Sequence, residues 1–383
     1  MIRITDKSQC CGCTACVTAC PVQCIVMRRD REGFDYPVAN PDICINCGKC
    51  EEICPVLEPA APSEPLASYA CRSEEMMNGS SSGGVFPLIA RRIADEGGVV
   101  FGAVLNEDLT VGHAEAESYE EIDCMRGSKY VQSDLYSVFE DVRNYLDEGR
   151  KVIFSGTPCQ IAGLGKYLGT KREGLLTIEV ACHGVPSPGI WERYVKALEK
   201  KYGGKVSDVN FRDKKSGWRQ YSFSFLADGR KVSVPRFNDP YMALFLQDMI
   251  LRPSCYSCPA RNGRSGSDLL LADLWNVSKT AAEYNDDKGV SLAVAYTAEG
   301  ASALEACGIR LKEVEATAAK ERNSGFAESV PRPERRDEFF YGLQSTRDII
   351  KYMSGFVQRK PFFIKWYEKV HTLLSKLKRR ITG

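Results

Sequence analysis

Cys10-Cys-Gly-Cys13-Thr-Ala-Cys16-Val-Thr-Ala-Cys20-Pro21 recurs as Cys44-Ile-Asn-Cys47-Gly-Lys-Cys50-Glu-Glu-Ile-Cys54-Pro55. Each run sets three thiols on a tight loop that wraps three corners of a cubane, with the fourth at the start of a short helical turn. The proline after it pushes the preceding cysteine into extended backbone and turns the chain away. In two-cluster ferredoxins the fourth cysteine of each run ligates the other cluster. The expected ligand sets are therefore Cys10, Cys13, Cys16 and Cys54 for one 4Fe-4S cluster, and Cys44, Cys47, Cys50 and Cys20 for the other. Gly12 and Gly48 leave room for backbone N–H groups to face cluster sulfur. Zinc also takes four thiolates, but its modules favour paired Cys-x2-Cys knuckles with longer spacers. Cys11 and Cys24 fall outside the register and read as buried free thiols.

The rest of the composition agrees with metal ligation inside a large chain. Seventeen cysteines in 383 residues, with no apolar leader at Met1-Ile-Arg-Ile-Thr-Asp6, point away from a small secreted disulfide scaffold. The expectation is a cytoplasmic protein. Lys and Arg number 51 against 50 Asp and Glu, which gives no electrostatic argument for a nucleic-acid partner.

After Cys54, the prolines at 55, 59, 62 and 65 predict a semi-rigid linker over residues 58–65, separating a module at 1–57 from a second core. Beyond Leu66 the pattern alternates. Phe86 to Ala94 predicts a helix, Gly98 to Leu105 a buried strand, Tyr136 to Glu148 an amphipathic helix, and Lys151 to Ser155 and Leu175 to Ala181 further strands. Tyr221 to Leu226 and Lys231 to Val234 flank Asp228-Gly229, a hairpin signature. The expected fold is α+β, a two-cluster ferredoxin-type module fused to a mixed α/β domain whose parts run 66–150 and 151–330, with a helical tail at 331–383.

Four more cysteines stand in turn-like settings: Cys159 in Ser155-Gly-Thr-Pro-Cys-Gln160, Cys182 in Cys182-His-Gly-Val-Pro-Ser-Pro188, and the pair Cys255 and Cys258. Spacing alone leaves them equally readable as core residues. These segments, with Ser81-Ser-Gly-Gly-Val-Phe86, Gly127-Ser-Lys-Tyr-Val-Gln-Ser133, Asn210-Phe-Arg-Asp-Lys-Lys-Ser-Gly-Trp218 and Leu271-Ala-Asp-Leu-Trp275, resemble the family of coenzyme F420 hydrogenase/dehydrogenase beta subunits across about Leu66 to Phe326. The resemblance implies a flavoprotein fold with bound FAD and a further 4Fe-4S cluster on Cys159, Cys182, Cys255 and Cys258. It implies an oxidoreductase exchanging electrons with ferredoxin or another redox protein. A deazaflavin or a small organic molecule would be the substrate. A non-catalytic electron-transfer subunit is the alternative.

For the flavin, Ser80, Ser81, Ser82, Gly83 and Gly84 before a helix N-terminus offer hydroxyls and backbone donors to a diphosphate. The same residues equally suit a capped polar loop. Gly127, Ser128, Lys129, Tyr130, Gly156 and Thr157 are the other candidates for cofactor contact. His183, beside Cys182, is the candidate proton donor or cluster neighbour. Arg212, Asp213, Lys214, Lys215 and Trp218 would meet an acidic substrate or cofactor tail, or form a solvated loop. Arg359 to Gly383 carries eight Lys and Arg and one Glu around apolar residues at helical spacing. Such a helix lies on an anionic membrane surface, docks on a partner, or packs on its own domain.

Overall fold

Both Cys-Pro runs fold as loop-and-turn units around a small hairpin. In this computed structural model, which describes residues 1–170, 172–316, 323 and 328–358, short helices Ala15–Thr18 and Lys49–Glu52 follow the first cysteines of each run. Gly12 (φ +72°) and Gly48 (φ +77°) both adopt the left-handed backbone that the tight loops require. Strands β1 (Ile25–Arg29) and β2 (Asp35–Ala39) pair antiparallel between them.

The larger domain is built on an eight-stranded mixed sheet. Its strands are β3 (Ala67–Cys71), β4 (Val99–Leu105), β5 (Val111–Ala116), β6 (Val152–Gly156), β7 (Leu175–Val180), β11 (Leu269–Asp273), β12 (Ser291–Ala295) and β13 (Leu311–Glu313). They lie in the order β13-β3-β12-β11-β7-β6-β4-β5. The central neighbours β4, β6, β7 and β11 run parallel. Burial on both faces explains their continuous apolar runs, such as Val-Ile-Phe at 152–154. A three-stranded sheet of β8 (Val206–Asp213), β9 (Ser222–Ala227) and β10 (Arg230–Pro235) stands apart. The β9–β10 turn is the expected hairpin: Asp228 and Gly229 both have positive φ, and Ala227 pairs with Arg230. The expected helices form as Val85–Asp95 and Val138–Asp147. The architecture is α+β, as the sequence predicts.

One expectation fails. The proline-rich segment does not separate two cores. Phe34 and Tyr36 from the N-terminal hairpin pack in one cluster with Trp191, Tyr194, Phe211, Phe223, Tyr241 and Phe340. Cys11, Cys13, Ala15 and Ile53 pack in another with Phe101, Phe139, Phe154 and Leu164. Only a smaller cluster around Cys16, Cys24, Ile25 and Cys50 belongs to the first module alone. The join is tight: Gly189 N–H donates to Gly33 O at 3.1 Å, and a Cβ on Gly33 would stand 2.7 Å from Gly189 Cα. Buried Arg336 grips both oxygens of Glu32 at 3.1 and 2.7 Å. The linker itself is pinned, with Ser63 N–H donating to Gly263 O at 2.9 Å. The basic stretch Arg359 to Gly383 lies outside the described residues. Among the described residues no helix is long and apolar enough to cross a membrane.

Candidate iron–sulfur and flavin sites

The repeated fold of the first module sorts its thiols into two cavities. One is lined by Cys10, Cys13, Cys16 and Cys54, with Cys11 beside them. The other is lined by Cys20, Cys44, Cys47 and Cys50, with Cys24. Each cavity thus collects three thiols of one run and the last thiol of the other, the crossed pattern that the spacing predicts. Four thiols at the spacing of each run suit a cubane better than a zinc knuckle with its paired Cys-x2-Cys and longer spacers. Burial, and then the neighbouring Cys10, Cys54 and Cys50 thiols, push Cys16 up to about 12. Thiols so placed ionise together only when a bound cation compensates them. Cys47 is exposed, as are Ile43 and Ile45 beside it, so the second cavity opens at the surface.

A third thiol group forms at the carboxyl edge of the parallel strands. Thr157 follows β6 and starts the helix Pro158–Leu168, where the Gln160 side chain accepts from Thr157 N–H at 2.9 Å. Cys159 sits in that first turn, its sulfur 3.3 Å from Thr157 Oγ1. Cys182 follows β7. Cys255 and Cys258 come from the 3-10 turn Pro253–Ser257 and its end, and Cys255 Sγ accepts from Val185 N–H at 3.4 Å. The four are electrostatic neighbours. Burial first, then Cys159 and Cys258, push Cys255 up to about 12. Burial and then Cys255 raise Cys182. Arg261, which lowers the Cys182, Cys255 and Cys258 thiols, is the nearby cation. Cys11 is a buried free thiol, packed with Cys13 in the core cluster against which Cys159 rests. A Cβ on Gly163, in the Cys159 helix, would lie 2.9 Å from Cys13 Sγ. His183 faces Asp248 Oδ1 at 2.6 Å and meets Phe245 edge-on at 5.1 Å.

The serine-rich loop is more internally bonded than its sequence suggests. Ser80 is buried and donates to Met76 O at 2.8 Å; Ser82 donates to Val290 O at 2.9 Å. Ser81 Oγ accepts from Ser128 N–H at 2.7 Å and lies 2.9 Å from Ser128 Oγ, which joins this loop to the Gly127 segment. Gly83 N–H donates to Ser291 Oγ at 3.0 Å, and Gly84 (φ +77°) opens the helix. Lys129 donates to Cys124 O at 3.0 Å and Arg126 O at 2.9 Å, and burial pushes it down to about 7. Tyr130 rests on Phe245, with centroids 4.4 Å apart. Gly156 and Thr157 stand with the third thiol group.

Cations, rather than hydroxyls, give this region its chemistry. Lys214 reaches Met77 O at 3.1 Å and Ser82 O at 3.3 Å; burial, then Arg212, push it down to about 8, and Arg126 adds in the same direction. Arg212 is buried between Tyr221 (4.7 Å) and Trp275 (5.4 Å), paired through one nitrogen with Asp273. Its Nε and Nη2, and Nε of Arg126, are buried without a hydrogen-bond partner. Trp218 and Trp275 stack at 4.8 Å. Buried donors of this kind await an acceptor. The donor set fits an anion with several oxygens beside a planar ring system, which is what a flavin dinucleotide presents. Arg126 was missed in the sequence although it immediately precedes the Gly127 segment.

Residues 9–57 match the family described as 4Fe-4S dicluster domain, and residues 149–321 match the C terminus of the coenzyme F420 hydrogenase/dehydrogenase beta subunit. The chain carries a dicluster ferredoxin domain, followed by a segment that matches the C terminus of F420 hydrogenase/dehydrogenase beta subunits. On the latter side it is similar to the F polypeptide of F420H2 dehydrogenase from Methanosarcina mazei, 24% identical over 170 residues, covering 41% of this chain and 48% of that protein. On the ferredoxin side it is similar to a ferredoxin of Streptomyces griseus, 36% identical over 78 residues, covering 19% of this chain and 70% of that one. The chain spans about half the length of the curated relatives that its larger domain matches. Among solved structures, the F420-reducing NiFe hydrogenase complex from Methanosarcina barkeri has a chain matching at TM-score 0.47 and 17% identity, covering 69% of this chain and 90% of that one. The protein is an iron–sulfur protein related to oxidoreductase subunits.

Proposed function

We propose that this chain is an iron–sulfur flavoprotein oxidoreductase, carrying three 4Fe-4S clusters and FAD, that exchanges electrons between a redox protein and a deazaflavin or small organic substrate. The observation that supports the reading is the packing of neighbouring thiol groups on one another: Cys16 of the first set packs with Cys50 of the second, and Cys159 packs against the cluster that holds Cys13, while Cys47 lies at the surface. Cys10, Cys13, Cys16 and Cys54 would hold one cluster, Cys44, Cys47, Cys50 and Cys20 the second, and Cys159, Cys182, Cys255 and Cys258 the third. The buried free donors of Arg212 and Arg126, with Lys214, would hold the FAD diphosphate, and Ser81 and Ser128 would line its approach. FAD supplies, when bound, the junction between two-electron and one-electron chemistry. The protein's own part is to hold the dinucleotide with cations, exclude water with Trp218 and Trp275, and keep His183 oriented on Asp248.

Exposed Ile43 and Ile45 beside Cys47 suit docking of a redox protein such as ferredoxin, which also accommodates the reading as a non-catalytic electron-transfer subunit. Anaerobic reconstitution decides between them. The proposal expects about 12 iron atoms per chain from three cubanes and one FAD, with the flavin bleached by reduced ferredoxin and reoxidised by a deazaflavin or organic acceptor. Iron near eight removes the third ligand set, failure to bind FAD removes the flavin, and turnover only within a larger complex favours the non-catalytic reading.

A further inference from the structure

Arg252 is buried to 1% exposure where the two halves meet. It leaves the backbone just before the turn that bears Cys255: Cys255 N–H donates to Arg252 O at 2.9 Å, and Arg252 N–H donates to Val185 O at 3.0 Å. Its side chain crosses into the ferredoxin half. Nε donates to Cys10 O at 2.7 Å, and Nη2 to Asp35 O at 2.9 Å and to Cys10 Sγ at 3.6 Å. Nη1 donates to Gln132 Oε1 at 2.9 Å, and Gln132 Nε2 in turn donates to Cys11 O at 3.1 Å. Tyr36 and Phe34 cover the guanidinium at 4.3 and 5.5 Å.

All these donors are thus aimed at neutral oxygens or at the Cys10 sulfur, and none of these acceptors is a carboxylate. A guanidinium this deep needs an opposite charge nearby, since an uncompensated buried ion is strongly destabilising. Among its hydrogen-bond partners, the Cys10 sulfur, 3.6 Å from Nη2, is the one that would carry negative charge as a cluster ligand. The second thiol group has no arginine among its lining residues: the cations there are Lys49, which is exposed and screened by solvent, and the Met1 amino group, which is already paired with Glu51 at 3.5 Å.

We propose that Arg252 is a positioning residue. It clamps the Cys10 thiolate to the turn carrying Cys255 and holds the Cys10, Cys13, Cys16 and Cys54 site at a higher reduction potential than the Cys44, Cys47, Cys50 and Cys20 site. A buried positive charge and a donor to ligand sulfur both stabilise the more negative, reduced form. Electrons entering at the exposed site are thereby drawn toward the interior. The inference rests on the reading that these thiols ligate clusters, but requires neither the third cluster nor FAD.

The test is a redox titration of the reconstituted full chain followed by electron paramagnetic resonance, with iron counted in each sample. Cys16→Ser identifies the first site's signal by its loss. Arg252→Met is expected to move that signal to more negative potential, with the signal of the second site unmoved. Arg252→Lys, which keeps the charge but not the fork, is expected to move it less. An unmoved first signal, or equal movement of both, in Arg252→Met with full iron overturns the proposal. If Arg252→Met fails to retain iron, Arg252→Lys decides: a smaller negative shift supports the proposal and a wild-type potential overturns it. Iron near eight or absent FAD in the wild-type protein would sink the wider functional reading while leaving this comparison intact.

Discussion

Replacing Glu32 with Ala should loosen the whole chain, although Glu32 lies in a small hairpin of the ferredoxin half. Its carboxylate is 18% exposed and takes two bonds from Arg336, whose side chain is 1% exposed. Removing one partner of a buried ion pair costs about 3–5 kcal/mol, because the other charge is left desolvated. Two features here favour the lower end. Arg336 keeps Leu251 O at 2.8 Å, and water can enter from the exposed side of Glu32. The expected loss is roughly 3 kcal/mol, or about 6 °C in melting temperature at the ~2 °C per kcal/mol of larger chains. The comparison is Glu338→Ala, which removes the exposed pair with Arg335 and should move the midpoint by about 1 °C or less. Heating such proteins is commonly irreversible, so both variants need one scan rate, with iron measured in parallel. A Glu32→Ala midpoint no lower than that of Glu338→Ala, at full iron, would refute the claim that this contact holds the halves together.

Deleting residues 1–57 should yield an aggregating or unfolded remnant by circular dichroism and gel filtration, because it strips Phe34, Tyr36 and Ile53 from shared cores; a folded remnant that binds FAD would overturn this. Cys54→Ser should disturb the spectroscopic signal shared with Cys10→Ser rather than that shared with Cys44→Ser, and the opposite pattern would break the crossed assignment. Arg212→Met should weaken FAD binding roughly 10- to 100-fold, measured by flavin fluorescence, since a charge-assisted hydrogen bond contributes about 1.5–3 kcal/mol. Lys214 is held near 8 against an ordinary 10.5. Between these values the unfolded chain carries more protons than the folded one, so this lysine makes stability rise with pH there and penalises the folded state below. An anion at the site reverses the preference: FAD affinity should fall as pH rises through about 8, with proton uptake on binding, in calorimetry across buffers of different ionisation enthalpy. Unchanged pH dependence in Lys214→Met would refute the assignment.

Local order was legible where local chemistry dictates it. The Cys-x2-Cys-x2-Cys-x3-Cys-Pro runs fix their own turns, and Asp228-Gly229 fixes its hairpin through positive φ at both positions. The parallel strands announce themselves as unbroken apolar runs because both faces are covered. The prolines after Cys54 misled because linker stiffness says nothing about what the preceding residues pack against. Phe34 finds its neighbours, among them Trp191 and Phe340, far along the chain, and no periodicity encodes that meeting. Ser80 and Ser82 looked like ligand donors because sequence cannot reveal that Met76 O and Val290 O already take their hydrogens. Arg252 carried no signal at all, being one arginine before a cysteine pair.

The interlock of Gly33 with Gly189 has a consequence for how the protein is made. The ferredoxin half leaves the ribosome first, yet the surfaces that close over Phe34, and the arginines that satisfy Cys10 and Glu32, are translated much later. What the nascent half can complete unaided is the small cluster around Cys16, Cys24, Ile25 and Cys50. Were the proposed ligand sets loaded as the chain grows, the Cys44, Cys47, Cys50 and Cys20 set would be complete once Cys50 is made, whereas the Cys10 set would lack its Arg252 contact until synthesis has passed that residue.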